Sequence, residues 1–185
     1  DVTWSYAVFS NRSGMLGRPV AMASIAADAL ATGLAVAPFR LVNIALHALC
    51  GLLAWRLVVR VLAVDPTLHR VSRWVAPAIA MAWVLLPIHV STVLYVVQRM
   101  AILSALFTLL ALGAYLAGRE RLQEGQRHGW IMLFLMFPVC AALAALSKEN
   151  GLLAPLLALA LEVGCFGLAQ RRPPAIKIFH IAFVG

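Results

Sequence analysis

Long apolar runs, separated by short basic loops, constrain what this chain can fold into. Of its residues, 63% are hydrophobic and 12% are charged, and the mean hydropathy is +0.93. A soluble domain is about half apolar and about a quarter charged. Inside a bilayer the backbone must satisfy its own hydrogen bonds, as an α-helix does. The sequence therefore predicts an all-α, polytopic transmembrane helix bundle whose first partner is the lipid bilayer.

The apolar runs divide into five to six spans. Hydropathy predicts spans at about 39–62, 74–86, 93–117, 130–146 and 151–169, and a sixth that begins near Ile176. The second and fourth are only ~20–25 Å long, against a hydrocarbon core of about 30 Å. Either these helices thin the bilayer, or the polar segments at their outer ends lie below the lipid surface. The second alternative predicts a recessed, outward-facing cavity rimmed by His89 and Lys148.

The chain divides into two parts, and both of its ends suggest that it is a piece of a longer membrane domain. Residues 1–38 are less hydrophobic and predict an extracytoplasmic loop, in which residues 20–30 can form a short interfacial helix. Residues 39–185 predict the transmembrane helical domain. The chain opens on Asp1 and closes on an apolar run shorter than a span, so we expect further chain on both sides.

The distribution of basic residues predicts the orientation of the bundle. The net charge is +8, and ten of the fifteen Lys and Arg residues lie on one side of the bundle, in the loops after the first, third and fifth predicted spans or in the parts of the spans next to those loops. Short basic loops stay in the cytoplasm, and this pattern differs from a nucleic-acid-binding patch, so no nucleic-acid partner is expected. Residues 1–38, the His89 region and the 147–150 turn then face outward. Three single cysteines in apolar runs predict neither disulfides nor a metal site: Cys50, Cys140 and Cys165.

Two polar islands, residues 87–99 and 147–150, interrupt the apolar runs on that outward side. Arg99 is predicted two turns inside the third helix, on one face with Thr92 and Tyr95. A guanidinium at that depth binds an anionic ligand, reaches water, or forms a structural ion pair with Glu149. His89 can bind a phosphate or hydroxyl or shuttle a proton, but a histidine hydrogen-bonded at an interfacial turn is an equal alternative.

The second island offers two charges that point in different directions. Lys148 is a candidate anchor for a lipid-linked phosphate, and Glu149 is expected to reach a separate partner. Arg18, in a glycine-rich outer loop, suits phosphate or sugar binding or a simple exposed charge. Two weaker signals remain. Arg40, Asn43 and His47 form a stripe on the first span, for which interhelical hydrogen bonding is favoured over ligand binding, and Glu162 is a lone acid in the fifth span that can pair with a neighbouring helix.

Four stretches of the chain together resemble a known group. They are residues 13–22 (SGMLGRPVAM), residues 39–43 (FRLVN) with His47, residues 87–100 (PIH through YVVQRM) and residues 147–151 (SKENG). In this order the chain resembles the membrane core of bacterial relatives of TMTC-type protein O-mannosyltransferases, members of the GT-C glycosyltransferase superfamily. Proteins of that group often carry tetratricopeptide repeats after the membrane part.

The resemblance implies an enzyme of the bacterial inner membrane with an outward cavity. It would transfer a sugar from a polyprenyl-phosphate donor to a protein or glycan acceptor. The resemblance also implies an acidic catalytic base, often near a divalent metal cation, in a loop before Asp1, so the catalytic residue is unknown here. The family pattern has His-Pro and Glu where this chain has Leu86-Pro87 and Ser91. Donor-phosphate binding is the role left for six residues: Arg18, His89, Gln98, Arg99, Lys148 and Glu149.

Two other classes of protein would use the same residues. A transporter or flippase of a lipid-linked anion needs a basic cavity but no catalytic groups. A non-catalytic membrane scaffold needs neither a basic cavity nor catalytic groups. Transporters often show inverted repeats and helices broken at the midplane. The sequence shows no internal repeat, and its polar islands lie toward one face, so it favours the transferase.

Overall fold

The computed structural model describes residues 17–33, 35–166 and 174–184, and within them it is all-α. Eight helices follow one another, and single turns of 3₁₀-helix lie at Val96–Gln98 before α5 and at Glu149–Leu153 before α7. A π-helical turn at Met132–Met136 lies inside α6. The helices are α1 Pro19–Thr32, α2 Val36–Leu62, α3 Pro66–Val84, α4 His89–Leu94, α5 Arg99–Gln123, α6 His128–Ser147, α7 Ala154–Phe166 and α8 Pro174–Val184.

Four helical segments are long and apolar enough to cross a bilayer, which makes this chain a multi-pass membrane protein. They are Val36–Leu62, Val96–Gln123, His128–Ser147 and Glu149–Phe166. The second predicted span also forms a helix, α3, but its first two turns carry His69, Arg70 and Arg73, so it has the length of a span without the apolar composition. The described part of the sixth predicted span is α8, with 11 residues.

The helices of the second and fourth predicted spans are longer than the apolar runs from which they were predicted. Helix α3 has 19 residues and the α6 helix has 20, which at about 1.5 Å per residue makes each ~30 Å long. Hydropathy misplaced their starts, because both helices begin among polar residues. Asp65 caps α3 by accepting hydrogen bonds from the Thr67 hydroxyl and from the N–H groups of Thr67 and Leu68. The bond from the hydroxyl, and then the two backbone bonds, lower the pKa of the Asp65 carboxyl.

The third predicted span begins at Val96 with a turn of 3₁₀-helix, three residues later than expected. The chain is extended at Tyr95 (φ −86°, ψ 120°), and α5 starts only at Arg99. Arg99 therefore lies in the first turn of its helix, not two turns inside it, and it does not share a continuous helical face with Thr92 and Tyr95. The backbone carbonyls freed by this break bond to α2, whose Asn43 donates to the oxygens of Val93 and Tyr95 at 3.2 and 3.3 Å.

Neighbouring helices run antiparallel, so the bundle has two ends. Near one end, His47 contacts the carbonyl of Val84, and the first part of α2 contacts residues 93–95. Near the other end, Arg60 of α2 donates to the carbonyl of Gly113. Helices α5 and α6 approach closely at Gly118 and Gly129, where an added Cβ on Gly129 would lie 2.7 Å from the Gly118 oxygen. The end that holds residues 18, 40, 89, 99 and 148 is called the outer end below, following the predicted orientation.

Two apolar clusters hold the bundle together. One joins α1, α2 and α5 around Ala21, Cys50 and Ile102, and the other joins α5, α6, α7 and α8 around Phe137 and Phe179. The short helix expected at residues 20–30 forms as α1, and Ala21 on it is buried. Residues 36–38 of the predicted loop belong to α2, whereas residues 1–16, which include the start of the first family-like stretch, and residue 34 lie outside the described residues.

Candidate functional site

Arg99 is completely buried, at the place where α1, α2 and α5 meet. Its Nε donates to Asn43 Oδ1 at 2.8 Å, its Nη2 donates to the Phe39 carbonyl at 3.0 Å, and its Nη1 donates to Ser24 of α1. Nη1 also forms an ion pair with the carboxylate of Asp28, another α1 residue. The guanidinium is therefore surrounded by groups of the protein.

The acid that pairs with Arg99 is not the one expected. One of the alternatives for Arg99 was a structural ion pair with Glu149, and this alternative is wrong, because Arg99 pairs with Asp28. Asp28 lies one turn from Ser24 on the same face of α1. Ser24 and Asp28 are four residues apart, which puts them on one helix face, and that spacing was the signal available in the sequence. The anionic-ligand role of Arg99 stays a prediction, but its observed partners favour a structural role.

Arg18 and Glu149 bring the first loop and the second polar island into contact. Arg18 Nη2 lies 3.2 Å from Glu149 Oε2, and Arg18 Nη1 lies 2.9 Å from the Met100 sulfur, next to Arg99. Both ion-pair side chains are partly exposed, at 21% and 29%. Arg18 itself has a left-handed backbone (φ 54°) immediately before Pro19. Three parts of the predicted site, residues 18, 99–100 and 149, are thus neighbours at the outer end.

Lys148 differs from the two arginines, because its side-chain ammonium has no hydrogen-bond or ion-pair partner among the described residues, although its backbone N–H and C=O are both hydrogen-bonded. It ends α6 with an extended backbone (φ −160°, ψ 145°), which turns the chain into the 3₁₀ segment Glu149–Leu153. Its side chain is partly exposed. A part-buried ammonium with three donors and no protein acceptor is available for an anionic ligand.

Lys148 lines a cavity of about 450 Å³ between α2, α3, α5 and the α6–α7 turn. The polar side chains Lys148 and Asn150 lie at its outer end, beside Trp83 and Ala101. From there the cavity follows α5 down to Leu112, about 16 Å at 1.5 Å per residue. Ser104 and Thr108 add hydroxyls to a wall that is otherwise made of apolar side chains. The cavity therefore combines one cation with a long apolar surface.

His89 lies beside that cavity, in a small pocket that shares Trp83, Ala101 and Ala105 with it. The His89 ring lies 4.8 Å from the Trp83 ring and 5.0 Å from the His47 ring. Burial, and then the neighbouring His47, lower the pKa of His89 from its ordinary value, so the ring is neutral at pH 7. Its Nε2 is buried and has no hydrogen-bond partner among the described residues.

Gln98 and the acid in α7 complete the list of predicted polar residues. Gln98 ends the 3₁₀ turn before Arg99 and is partly buried. The pairing expected for Glu162 is confirmed, since its Oε2 accepts from Arg119 Nε and from the Tyr115 hydroxyl, both at 2.8 Å. The sequence analysis placed Arg119 in a cytoplasmic loop, but the side chain is buried over the Phe166 ring. Tyr115 and Arg119 are four residues apart, a spacing that could have revealed this buried pair.

The metal implied by the resemblance finds no ligand set here. Among the described residues, no group of three or more His, Cys, Asp or Glu side chains is close enough to hold an ion. The resemblance places the acidic loop before Asp1, so no metal ligand is assigned.

Comparison with known proteins gives no relative for this chain. No protein-family model matches it, and neither a curated protein nor a solved structure matches it significantly. The fold and the site therefore define the class, a helical multi-pass membrane protein with a cation at the mouth of an apolar cavity.

Proposed function

We propose that this chain is part of an integral-membrane glycosyltransferase that moves a sugar from a polyprenyl-phosphate donor to a protein or glycan acceptor. The observation that carries the proposal is Lys148, a cation whose ammonium has no partner in the described part of the chain and which lies at the outer end of a cavity that is otherwise almost entirely apolar. A lipid-linked phosphate has the complementary form, with one anionic group on a long hydrocarbon chain. The family-like stretches around residues 99 and 148 support the same assignment.

In this proposal Lys148 binds the phosphate and stabilises the leaving group. Negative charge grows on the polyprenyl phosphate as the bond between the sugar and the phosphate breaks. A preformed cation aimed at that charge lowers the barrier, and the low dielectric of the apolar wall strengthens the effect. The first isoprene units would lie along α5 between Ala101 and Leu112, where the cavity wall is apolar.

The other predicted site residues support this geometry in different ways. Arg99 acts as a positioning residue, because its bonds to α1 and α2 hold the start of α5 beside the cavity. The Arg18–Glu149 pair holds the turn that carries Lys148. His89 is neutral at pH 7 and suits a hydroxyl of the sugar better than the phosphate anion.

In this proposal the catalytic base comes from a residue outside the set that lines the described cavity. In the described part of the chain no Asp or Glu lines the cavity. A cavity without an acid also suits a transporter or flippase of a lipid-linked anion, so this observation is compatible with that second function. The two functions differ in whether a sugar is transferred or the intact donor crosses the membrane.

The test is sugar transfer by the full-length protein in membranes supplied with a labelled polyprenyl-phosphate-linked sugar. Lys148→Ala should lower turnover about 30- to 1,000-fold, the cost of removing one group that stabilises developing charge. Lys177→Ala is the matched control, since Lys177 is the only other lysine in the chain and lies exposed on α8. Near-normal turnover by Lys148→Ala would contradict the proposal. Movement of the intact donor across proteoliposomes, without any glycosylated product, would favour the flippase.

A further inference from the structure

A second cavity lies at the opposite end of the bundle from Lys148. It has a volume of about 270 Å³ between α2, α5 and the π-helical turn of α6. Three arginines line it: Arg56 and Arg60, one turn apart on α2, and Arg121 near the end of α5. The rest of its wall is apolar or small, with Leu57, Leu110 and Met132 among the larger side chains. We call this cavity the arginine groove.

The charges in the arginine groove are not neutralised by the described part of the chain. None of the described residues that line it is acidic. Arg121 Nη1 is buried and finds no hydrogen-bond partner there, and Arg60 Nη1 reaches only the Gly113 carbonyl, at 3.3 Å. Arg60 also borders a neighbouring cavity that Glu120 lines, but no ion pair joins the two in the described structure. A buried, unpaired guanidinium donor is costly unless a ligand supplies the acceptor.

We propose that the arginine groove binds the phosphodiester headgroup of an anionic phospholipid. Guanidinium groups bind phosphate oxygens through paired N–H donors, and three of them around one cavity match a phosphodiester. The groove lies at the end of the bundle that the basic loops assign to the cytoplasm, where anionic headgroups attract basic residues. Basic pockets between transmembrane helices are typical sites for such headgroups.

A lipid fits this groove better than a free phosphate ion does. Leu57 and Leu110 lie on the same wall as the arginines, so a bound headgroup would have apolar surface beside it for its acyl chains. A free phosphate ion gains nothing from that surface. The proposal does not depend on the proposed function, because Lys148 is at the other end of the bundle.

The test is native mass spectrometry of the purified chain in detergent, titrated with phosphatidylglycerol or phosphatidylcholine. Wild type should bind phosphatidylglycerol at least about tenfold more tightly. The Arg56→Gln/Arg121→Gln variant should lose about 30-fold in affinity for phosphatidylglycerol, since each arginine near an anionic lipid contributes about fivefold. Arg70→Gln/Arg127→Gln is the matched control, because both side chains are exposed at the same end, outside the groove, and their removal should change affinity less than about twofold.

A second variant blocks the groove without changing any charge. Gly113 lines the groove, and a Cβ added there meets nothing within 4 Å, so Gly113→Leu should fold normally while its side chain fills the space. It should weaken phosphatidylglycerol binding about tenfold and leave the thermal unfolding temperature equal to or above that of wild type. This variant decides the question if the double arginine variant does not fold.

Three outcomes would overturn the proposal. Equal affinity for phosphatidylglycerol and phosphatidylcholine would be the first. An equal loss of binding in the control variant and the groove variant would be the second, because it would indicate general attraction to the charged surface. Inorganic phosphate or glycerol phosphate binding as tightly as phosphatidylglycerol would assign the groove to a free anion and reject the lipid. Selective loss in the groove variant and in Gly113→Leu would support it.

Discussion

Arg99 shows how a membrane bundle holds a full charge with its own groups. Four residues from two other helices satisfy it: Asn43 and Phe39 on α2, and Ser24 and Asp28 on α1. The Phe39 ring lies 5.7 Å from the guanidinium carbon and adds a cation–π contact. Burying this charge stabilises the fold only while all of these partners are present, because removing one side of a buried ion pair leaves the other charge unpaired.

Removing the Arg99 side chain should therefore destabilise the fold. Arg99→Ala leaves Asn43 and Asp28 without their partner and should lower the free energy of unfolding by about 3–5 kcal/mol. Arg99→Lys should recover little of this, because an ammonium cannot reach acceptors on two helices as a planar guanidinium does. Thermal unfolding of the purified chain in detergent measures both variants.

Arg40→Ala is the control for the Arg99 variants, since Arg40 is exposed at the same end of the bundle. It should change the free energy of unfolding by less than about 0.5 kcal/mol. If Arg99→Ala unfolds at the wild-type temperature and loses only sugar transfer, the structural role is wrong and the predicted ligand role of Arg99 returns.

The sequence identified the important charges but not their partners. Rarity of charge in apolar runs was enough to single out Arg99, Lys148 and Glu162. The contact between Arg99 and Asp28 joins residues 71 positions apart, and it depends on how α1 packs against α5, which hydropathy does not encode. Lys148 and Arg99 looked alike in the sequence, yet the Arg99 guanidinium is enclosed by groups of the protein, whereas the Lys148 ammonium has no ion-pair or hydrogen-bond partner among the described residues.

Turns between helices position the candidate site more than the helices themselves do. The turn at 147–154 carries Lys148 and Asn150, and it fits closely against α6 because Gly151 has no side chain. A Cβ added at Gly151 would overlap the backbone of Ala144 and Ala145. Backbone atoms cannot move aside as a flexible side chain can, so the turn itself would have to shift.

Gly151→Ala should therefore weaken both the fold and the site. The forced shift should cost about 1–3 kcal/mol in the free energy of unfolding and should lower affinity for polyprenyl phosphate, because Lys148 is three residues away. Gly164→Ala is the matched control on α7, where an added Cβ meets nothing within 4 Å and should stabilise the helix by about 0.5–1 kcal/mol. Equal behaviour of the two variants in thermal unfolding and lipid binding would contradict the packing described here.

Helix boundaries were the least predictable part of the fold. Windows of hydropathy located α2, α5, α6 and the segment around α7, but they began α3 and α6 too late. The first turns of α3 are polar, and α6 begins with His128 and Gly129 directly after two polar residues. They also missed the break at Tyr95, since Val93 to Val97 is apolar on both sides of the extended residue. The recessed cavity was expected from short helices, whereas the observed cavity lies between helices of full length.

The molecule as a whole separates two kinds of basic site at its two ends. Lys148 meets an apolar cavity at the end predicted to face outward, and three arginines meet the arginine groove at the end predicted to face the cytoplasm. Antiparallel packing of successive spans creates these ends, because each turn of the chain returns to one of them. The distribution of Lys and Arg residues predicted which end faces the cytoplasm, but it did not predict the arginine groove.

Photocrosslinking tests the central claim, that the Lys148 cavity binds a lipid-linked phosphate, most directly. A polyprenyl phosphate that carries a diazirine on its first isoprene units is added to the protein in membranes, and the crosslinked residues are mapped by mass spectrometry. The account predicts crosslinks along α3 and α5, at Trp83 and between Ala101 and Leu112. They should weaken at least about tenfold in Lys148→Ala and persist in Lys177→Ala. Crosslinks confined to other surfaces, or equally strong in Lys148→Ala, would contradict it.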